Sequence, residues 1–295
     1  MRKISLFILI LICFPGILNA QNKKESPRIL MIGAHPDDCD LEGGGTAILF
    51  ASMGCAVKFL SVTDGDAGHQ TEGGGALAKR RMAEAKEAGK RFGIEYEVLD
   101  NHDGELTPSL EVRRQIIRRI REWKADVVIA PRPNDYHPDH RYTAVLVQDA
   151  AYMVAVPNVT PDVQALKKNP VFLYFRDKFQ KPIPFHPDIA VDITPVFDKK
   201  IYALSAHQSQ FFEWLPWIGG YQSEIPATAS DRLAWLSKNI AKRSDVSTEV
   251  LQSLEKWYGK ERADKVKYAE AFEICEYGTQ PDEQEIQRLF PMLGK

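Results

Sequence analysis

Two near-identical tetrapeptides, His35-Pro36-Asp37-Asp38 and His137-Pro138-Asp139-His140, stand far apart in the chain and together hold the side chains of a hydrolytic metal site. Two imidazoles and a carboxylate from separate segments suit Zn²⁺, with one position left open for water. In the first motif Pro36 stiffens a tight turn, and consecutive side chains on such a backbone point in different directions. Asp37 and Asp38 therefore divide the work: His35 and Asp38 as ligands, Asp37 as general base beside the water that the metal acidifies. In the second motif His140 completes the ligand set. His137 stays free for the substrate, with Asp139 expected to hold its imidazole and favour the protonated form, suited to an oxyanion or a leaving amine.

The chain carries its own control. His186-Pro187-Asp188 repeats the tripeptide with no second carboxylate or histidine after it, and is read as structural. Cys39, beside the first motif, reads as a fourth ligand or as a small buried residue; the second reading is preferred, because a catalytic zinc keeps that position for water.

The elements that must position these residues follow from pattern. Arg28–Gly33 reads as a strand, Gly43-Gly44-Gly45 as loop and Thr46–Met53 as helix. Ala56–Val62, Tyr96–Leu99 and Asp126–Ala130 read as further strands, with helices at Leu77–Phe92 and Leu110–Trp123 between them. Continuous apolar strands alternating with helices indicate an α/β fold on a mostly parallel sheet. Both motifs directly follow a strand, where loops at the carboxyl ends form the ligand crevice. Beyond Asn169 come strands Val171–Phe175 and Ile189–Ile193, a helix Val196–His207, and a mainly helical tail with helices at Leu233–Ile240, Val250–Trp257 and Arg262–Ile274.

Residues 1–20 have Arg2 and Lys3, an apolar run Ile4–Cys13 and small residues to Ala20, the layout of a secretory signal peptide cleaved after Ala20. Export to the periplasm or the cell exterior is expected, with no transmembrane segment in the mature chain. Lipidation at Cys13 is disfavoured by the bulky Ile12 before it. Residues 21–295 are read as one domain, its α/β core at about 28–210 and its helical tail at 211–295. With 38 Lys+Arg against 40 Asp+Glu there is no basic surplus for nucleic acid, and the run Arg113–Arg121 reads as a solvated helix face. Three cysteines, Cys39, Cys55 and Cys275, allow at most one disulfide. The loop Gly65–Gly75 lacks a phosphate-cradling signature, so no nucleotide cofactor is expected; it reads as a mobile linker or as a lid.

On these motifs the chain resembles the PIG-L (LmbE-like) de-N-acetylases. The resemblance rests on Ala34-His-Pro-Asp-Asp38 with Gly43-Gly44-Gly45-Thr46, Arg81-x-x-Glu84, Asp103-Gly104, His137-Pro-Asp-His140 and His207-x-Ser209-Gln210. It implies a three-layer Rossmann-like fold, His35, Asp38 and His140 as zinc ligands, Asp37 as base, and His137 with Asp139 as a charged pair at the transition state. It further implies that Arg81 and Asp103 grip the substrate; without it they read as an exposed helix arginine paired with Glu84 and a turn aspartate. Cys39-Asp40 and Asp135 depart from the family's usual residues.

The expectation is a hydrolase that removes acetyl from an N-acetylglucosamine-type sugar or glycoconjugate. The rivals are a zinc amidase on a non-sugar amide and a non-catalytic carbohydrate- or metal-binding protein. The aromatic segment Phe211–Trp217 reads as core or as a platform for a sugar ring.

Overall fold

Ile29, Leu30, Met31 and Ile32 are completely buried, a state a strand reaches only when both faces of its sheet are covered. The computed structural model describes residues 26–294, so the proposed signal peptide at 1–20 lies outside the described residues. The first half alternates β1 (Arg28–Gly33), α1 (Asp38–Ser52), β2 (Ala56–Thr63), α2 (Gly74–Phe92), β3 (Glu95–Asn101), α3 (Leu110–Trp123), β4 (Val127–Ala130) and α4 (Pro138–Met153). The second half adds β5 (Val171–Phe175), β6 (Ile189–Asp192), α5 (Phe197–Leu204), a π-helical turn at Gln210–Trp214, α6 (Leu215–Ile218), α7 (Ala229–Ala241), α8 (Thr248–Tyr258), α9 (Lys260–Ala263), β7 (Ala269–Gly278) and α10 (Glu283–Leu289).

The seven strands run in the order β3-β2-β1-β4-β5-β7-β6, parallel from β3 through β5 and antiparallel on both sides of β7. Alternate residues of β1 feed two cores. Ile29 and Met31 pack with Phe50, Phe92 and Leu204 of α1, α2 and α5, whereas Leu30 and Ile32 pack with Ile116, Ile120 and Leu146 of α3 and α4. This is the expected three-layer, Rossmann-like α/β arrangement.

Topology then fixes where chemistry can occur. The chain winds outward from β1 to β3 and returns to place β4 on the other side of β1, in register at Ile29↔Val127 and Met31↔Ile129. The loops after β1 and β4 diverge at this switch point and leave a crevice between them. They carry the two motifs.

Three local assignments change. Helix α1 starts at Asp38, so the glycine triplet is helical and not loop. Its glycines serve close packing: a Cβ on Gly43 would lie 2.6 Å from Met31 Sδ, one on Gly44 2.8 Å from the Phe92 ring, and one on Gly45 2.7 Å from Ile193 Cγ2. Second, the segment read as a helix over Arg262–Ile274 supplies strand β7. Its Ala- and Glu-rich sequence looks helical, but Glu270 is buried, accepting hydrogen bonds from the Gly45 and Thr46 amides (2.8 and 2.7 Å) and from Lys200 Nζ (2.7 Å). A tertiary partner decides the conformation there, not propensity. Third, Arg121 does not belong to a solvated face. It is 2% exposed and donates to the carbonyls of Met153, Val154, Val156, Val159, Thr160 and Val163 around the end of α4.

Arg121→Met is expected to cost about 3 kcal/mol of stability, because several buried carbonyls lose their donor at once. A denaturant midpoint equal to that of wild type would show that water or rearrangement replaces it. Cys39, Cys55 and Cys275 are all buried and unbridged. No helix among the described residues is long and apolar enough to cross a membrane.

Candidate active site

His35 and Asp38 flank the turn between β1 and α1, and His140 sits in the first turn of α4. Their ligating atoms converge: His35 Nδ1 is 3.2 Å from His140 Nε2, His140 Nε2 is 3.5 Å from Asp38 Oδ1, and His35 Nδ1 is 3.6 Å from Asp38 Oδ2. Donors held about 2.1 Å from a tetrahedral zinc stand about 3.4 Å from one another. The separations among the three side chains are of that size, the two contacts to Asp38 being made by different carboxylate oxygens. Asp38 is fixed by the amides of Ala34 and His35, which donate to Oδ2 at 2.9 and 2.8 Å. Burial alone would raise its pKa, yet His140, His35 and these amides hold the carboxyl well below the ordinary carboxylate range.

Asp37 lies at φ 147°, a region L-residues rarely adopt, and such strain tends to persist where function requires it. Arg81 on α2 holds the strained turn, its Nη2 donating to Pro36 O and Asp37 Oδ1 at 3.0 Å each. Burial nevertheless pushes the Asp37 carboxyl up to about 6, against the pull of Arg81. His137 precedes α4 and caps it: its Nδ1 accepts from the Asp139 amide at 3.2 Å, and Pro138 follows in the first turn. A ring nitrogen that accepts carries no proton, so the neutral ring is a tautomer with its N–H at Nε2. His35, His137 and His140 also bring donor atoms within 4.8 Å of one another. His35 groups with Asp103 and Asp139 in the same way, while the trio with Asp38 joins two imidazoles to a carboxylate.

Residues 30–151 match the family described as PIG-L, GlcNAc-PI de-N-acetylase. The diacetylchitobiose deacetylase of Thermococcus kodakarensis is 33% identical over 208 residues, 65% of this chain and 74% of that protein. The chain belongs to the PIG-L family. A solved structure of the N,N'-diacetylchitobiose deacetylase from Pyrococcus horikoshii superposes with a TM-score of 0.64 at 26% identity, covering 84% of this chain and 83% of that one. These relatives are de-N-acetylases, hydrolases of an amide C–N bond. A 4-oxalmesaconate hydratase from Pseudomonas putida is 25% identical over 205 residues, 66% of this chain and 79% of that protein.

Within this PIG-L site several roles differ from those expected. Asp139 does not hold His137. Its Oδ2 accepts from the Gly104 amide at 2.7 Å and lies 3.4 Å from His35 Nε2. His137 caps α4 through Nδ1, and burial, with His35 and His140 beside it, lowers its pKa, which favours the neutral ring over the imidazolium expected from sequence. Asp103 lines the cavity, and its Oδ1 lies 2.9 Å from His35 Nε2, a contact the sequence did not predict. Arg81 is neither exposed nor paired with Glu84; it is buried against Asp37, and Glu84 binds Ser209 instead. Asp135, noted only as a departure, lies 3.1 Å from His140 Nδ1.

His35 and His140 are each backed by carboxylates that orient the ring, a recurrent feature of metal sites. Four carboxylates around two imidazoles also make a cage that favours a cation. Asp103→Asn is expected to weaken metal affinity about 10- to 100-fold, measured by chelator competition, while leaving the fold intact. An unchanged affinity would return Asp103 to a role on the substrate.

The cavity above the site holds about 550 Å³, within the range of about 300–1,000 Å³ common for small-molecule sites. Apolar walls come from Leu41, Phe175, Phe179, Trp214 and Leu215. Tyr136, which sequence reasoning passed over, stands 74% exposed at the rim, edge-on to His137 and His140 with centroids 5.8 and 5.6 Å away. The aromatic segment divides between the two readings: Phe211 and Phe212 are core, Trp214 faces the cavity. His186-Pro187-Asp188 is structural as expected, Asp188 accepting from the Ile274 amide and from Trp257 Nε1. Cys39 is buried in α1 and does not line the cavity.

Proposed function

We propose that this chain is a zinc-dependent hydrolase that removes the acetyl group from an N-acetylglucosamine-type sugar or glycoconjugate. One observation carries the reading: His35, Asp38 and His140, which approach one another closely, line one cavity together with Asp37 and His137, and Leu41, Phe175 and Trp214 are among its walls. A zinc ion held by His35, Asp38 and His140 would supply a Lewis acid able to acidify water and polarise an acetamide carbonyl.

The chain's own residues do the rest. Asp37, held by Arg81, accepts the proton of the attacking water. As the water oxygen bonds to the carbonyl carbon, negative charge develops on the carbonyl oxygen, and His137 Nε2–H donates to it. Asp37 then returns the proton to the sugar nitrogen as the C–N bond breaks, leaving acetate and a free amine.

His137→Ala should keep its zinc and lower kcat by about 10²–10³-fold, the usual loss for one oxyanion donor. A change in KM alone would place His137 in ground-state binding. The overall reading is tested by measuring acetate release from N-acetylated mono- and disaccharides, from acetylated peptides, and in parallel any hydration of unsaturated diacids. Deacetylation frees acetate and an amine in equal amounts, whereas hydration frees nothing, so the hydratase-like rival is separated by product. Acetate from peptides but not sugars would favour the non-sugar amidase, and binding without turnover would favour the non-catalytic protein.

We also propose that the enzyme is exported after removal of residues 1–20. The mass of the chain recovered outside the cytoplasm should begin at Gln21, and retention of Met1 would contradict this.

A further inference from the structure

The glycine-rich loop 65–75 and the turn bearing Trp214 meet at one side chain. Glu213 accepts from Arg80 Nη2 at 2.6 Å through Oε1, and from Arg80 Nη1 and His69 Nε2 at 2.9 and 3.0 Å through Oε2. His69 is the loop's inward anchor, its side chain only 3% exposed. Its Nδ1 accepts from the Thr71 and Glu72 amides at 3.3 and 3.1 Å, which leaves the Nε2 proton for Glu213. Gln210 Nε2 adds a bond to Gly68 O at 3.1 Å.

Both joined segments face substrate space: Ala67 and Gly68 from the loop, Gln210 and Trp214 from the turn, all line the cavity. Helix α2 is the post behind them. Arg80 grips Glu213, Arg81 grips Asp37, and Glu84 accepts from the Ser209 amide and hydroxyl at 3.0 and 2.6 Å. The loop's far end runs into the first turn of α2 at Gly74, whose amide donates back to Asp66 O at 2.8 Å and whose φ of 59° suits glycine. Its near end is fixed, as a Cβ on Gly65 would collide with the Arg81 guanidinium.

We infer that Glu213 is a positioning residue for substrate: it latches the glycine-rich loop onto the Trp214 turn, so that the two act as one wall of the cavity and hold the part of the substrate beyond the N-acetyl group. This rests on the sugar-deacetylase reading above and names the side of the site that selects substrate length. Several features favour it over a purely structural role. The pair is partly exposed, so it contributes little to global stability. The π-helical turn, a feature often found at functional sites, keeps Phe211 and Phe212 in the core and turns Trp214 to the cavity, stacked on Trp217 at 5.4 Å.

The test uses the full-length zinc-loaded protein and the variants Glu213→Gln and Glu213→Ala, the isosteric one guarding against misfolding. Amide exchange over residues 65–75 should quicken about tenfold or more in Glu213→Ala, confined to that loop and most evident at Thr71 and Glu72. With an N-acetylated disaccharide kcat/KM should fall through KM by about tenfold, and by less with the monosaccharide. Disaccharide binding is also followed by tryptophan fluorescence, which needs no turnover, and should weaken in the same order. Unchanged loop exchange in both variants overturns the latch. Faster exchange with equal losses for mono- and disaccharide, or with no loss, overturns its role in selecting length, as does a wild type that binds neither sugar. A wild type that binds the disaccharide but releases no acetate counts against the proposed reaction and leaves the latch to be judged on exchange and binding.

Discussion

Asp37→Asn is expected to keep its full complement of metal and to lose about 10²–10⁴-fold in kcat, the contribution typical of a positioned general base. The two adjacent aspartates are separated by geometry. Asp38 is pinned by two backbone amides beside both imidazoles. Asp37 is turned by its φ of 147° toward Arg81 and the cavity. Asparagine preserves the size of the side chain and an acceptor for Arg81 but cannot take a proton. Metal analysis and turnover on the same preparation check this. If Asp37→Asn loses as much metal as Asp38→Ala, the division between them is wrong.

His140→Ala should lose the metal and with it essentially all activity. It removes one of three ligating side chains and leaves Asp135 and Asp38 without the imidazole between them. Three protein donors are the usual minimum for a catalytic zinc, and two do not hold it against dilution. Full metal occupancy in this variant would take His140 out of the ligand set and favour a site built on His137.

The candidate site was legible in the sequence because a loop after an apolar strand of a parallel sheet projects into the crevice above that strand. The loops after β1 and β4 carry the first two HPD motifs, and His35, Asp38 and His140 come together at the β1/β4 switch point. The roles of Asp103, Asp139, Asp135 and Arg81 were not legible. Each depends on which neighbour a carboxylate or guanidinium meets across a loop, and spacing along the chain carries no trace of it. Arg81 is the clearest case: the register of α2 alone places it one turn from Glu84, whereas packing sends it into the turn of Asp37.

Strand β7 failed for a related reason. Its Ala-Glu-Ala composition favours a helix in isolation, and only the cleft between β5 and β6, with Lys200 waiting for Glu270, makes it a strand. The glycine triplet misled in the opposite sense. Glycine punctuates most sequences, but here it removes side chains where α1 crosses Met31 and Phe92. The loop 65–75 and the Trp214 turn were each singled out as open questions, and the contact between them through Glu213 was invisible until both were placed.

The most direct test of the account is a zinc titration of chelator-stripped protein with acetate release from an N-acetylated sugar as the readout. The account predicts no release without metal, and activity rising linearly to a plateau at one zinc per chain, with an equal amount of free amine produced. Acetate released at the full rate by the stripped protein, or none at any zinc level, would contradict it.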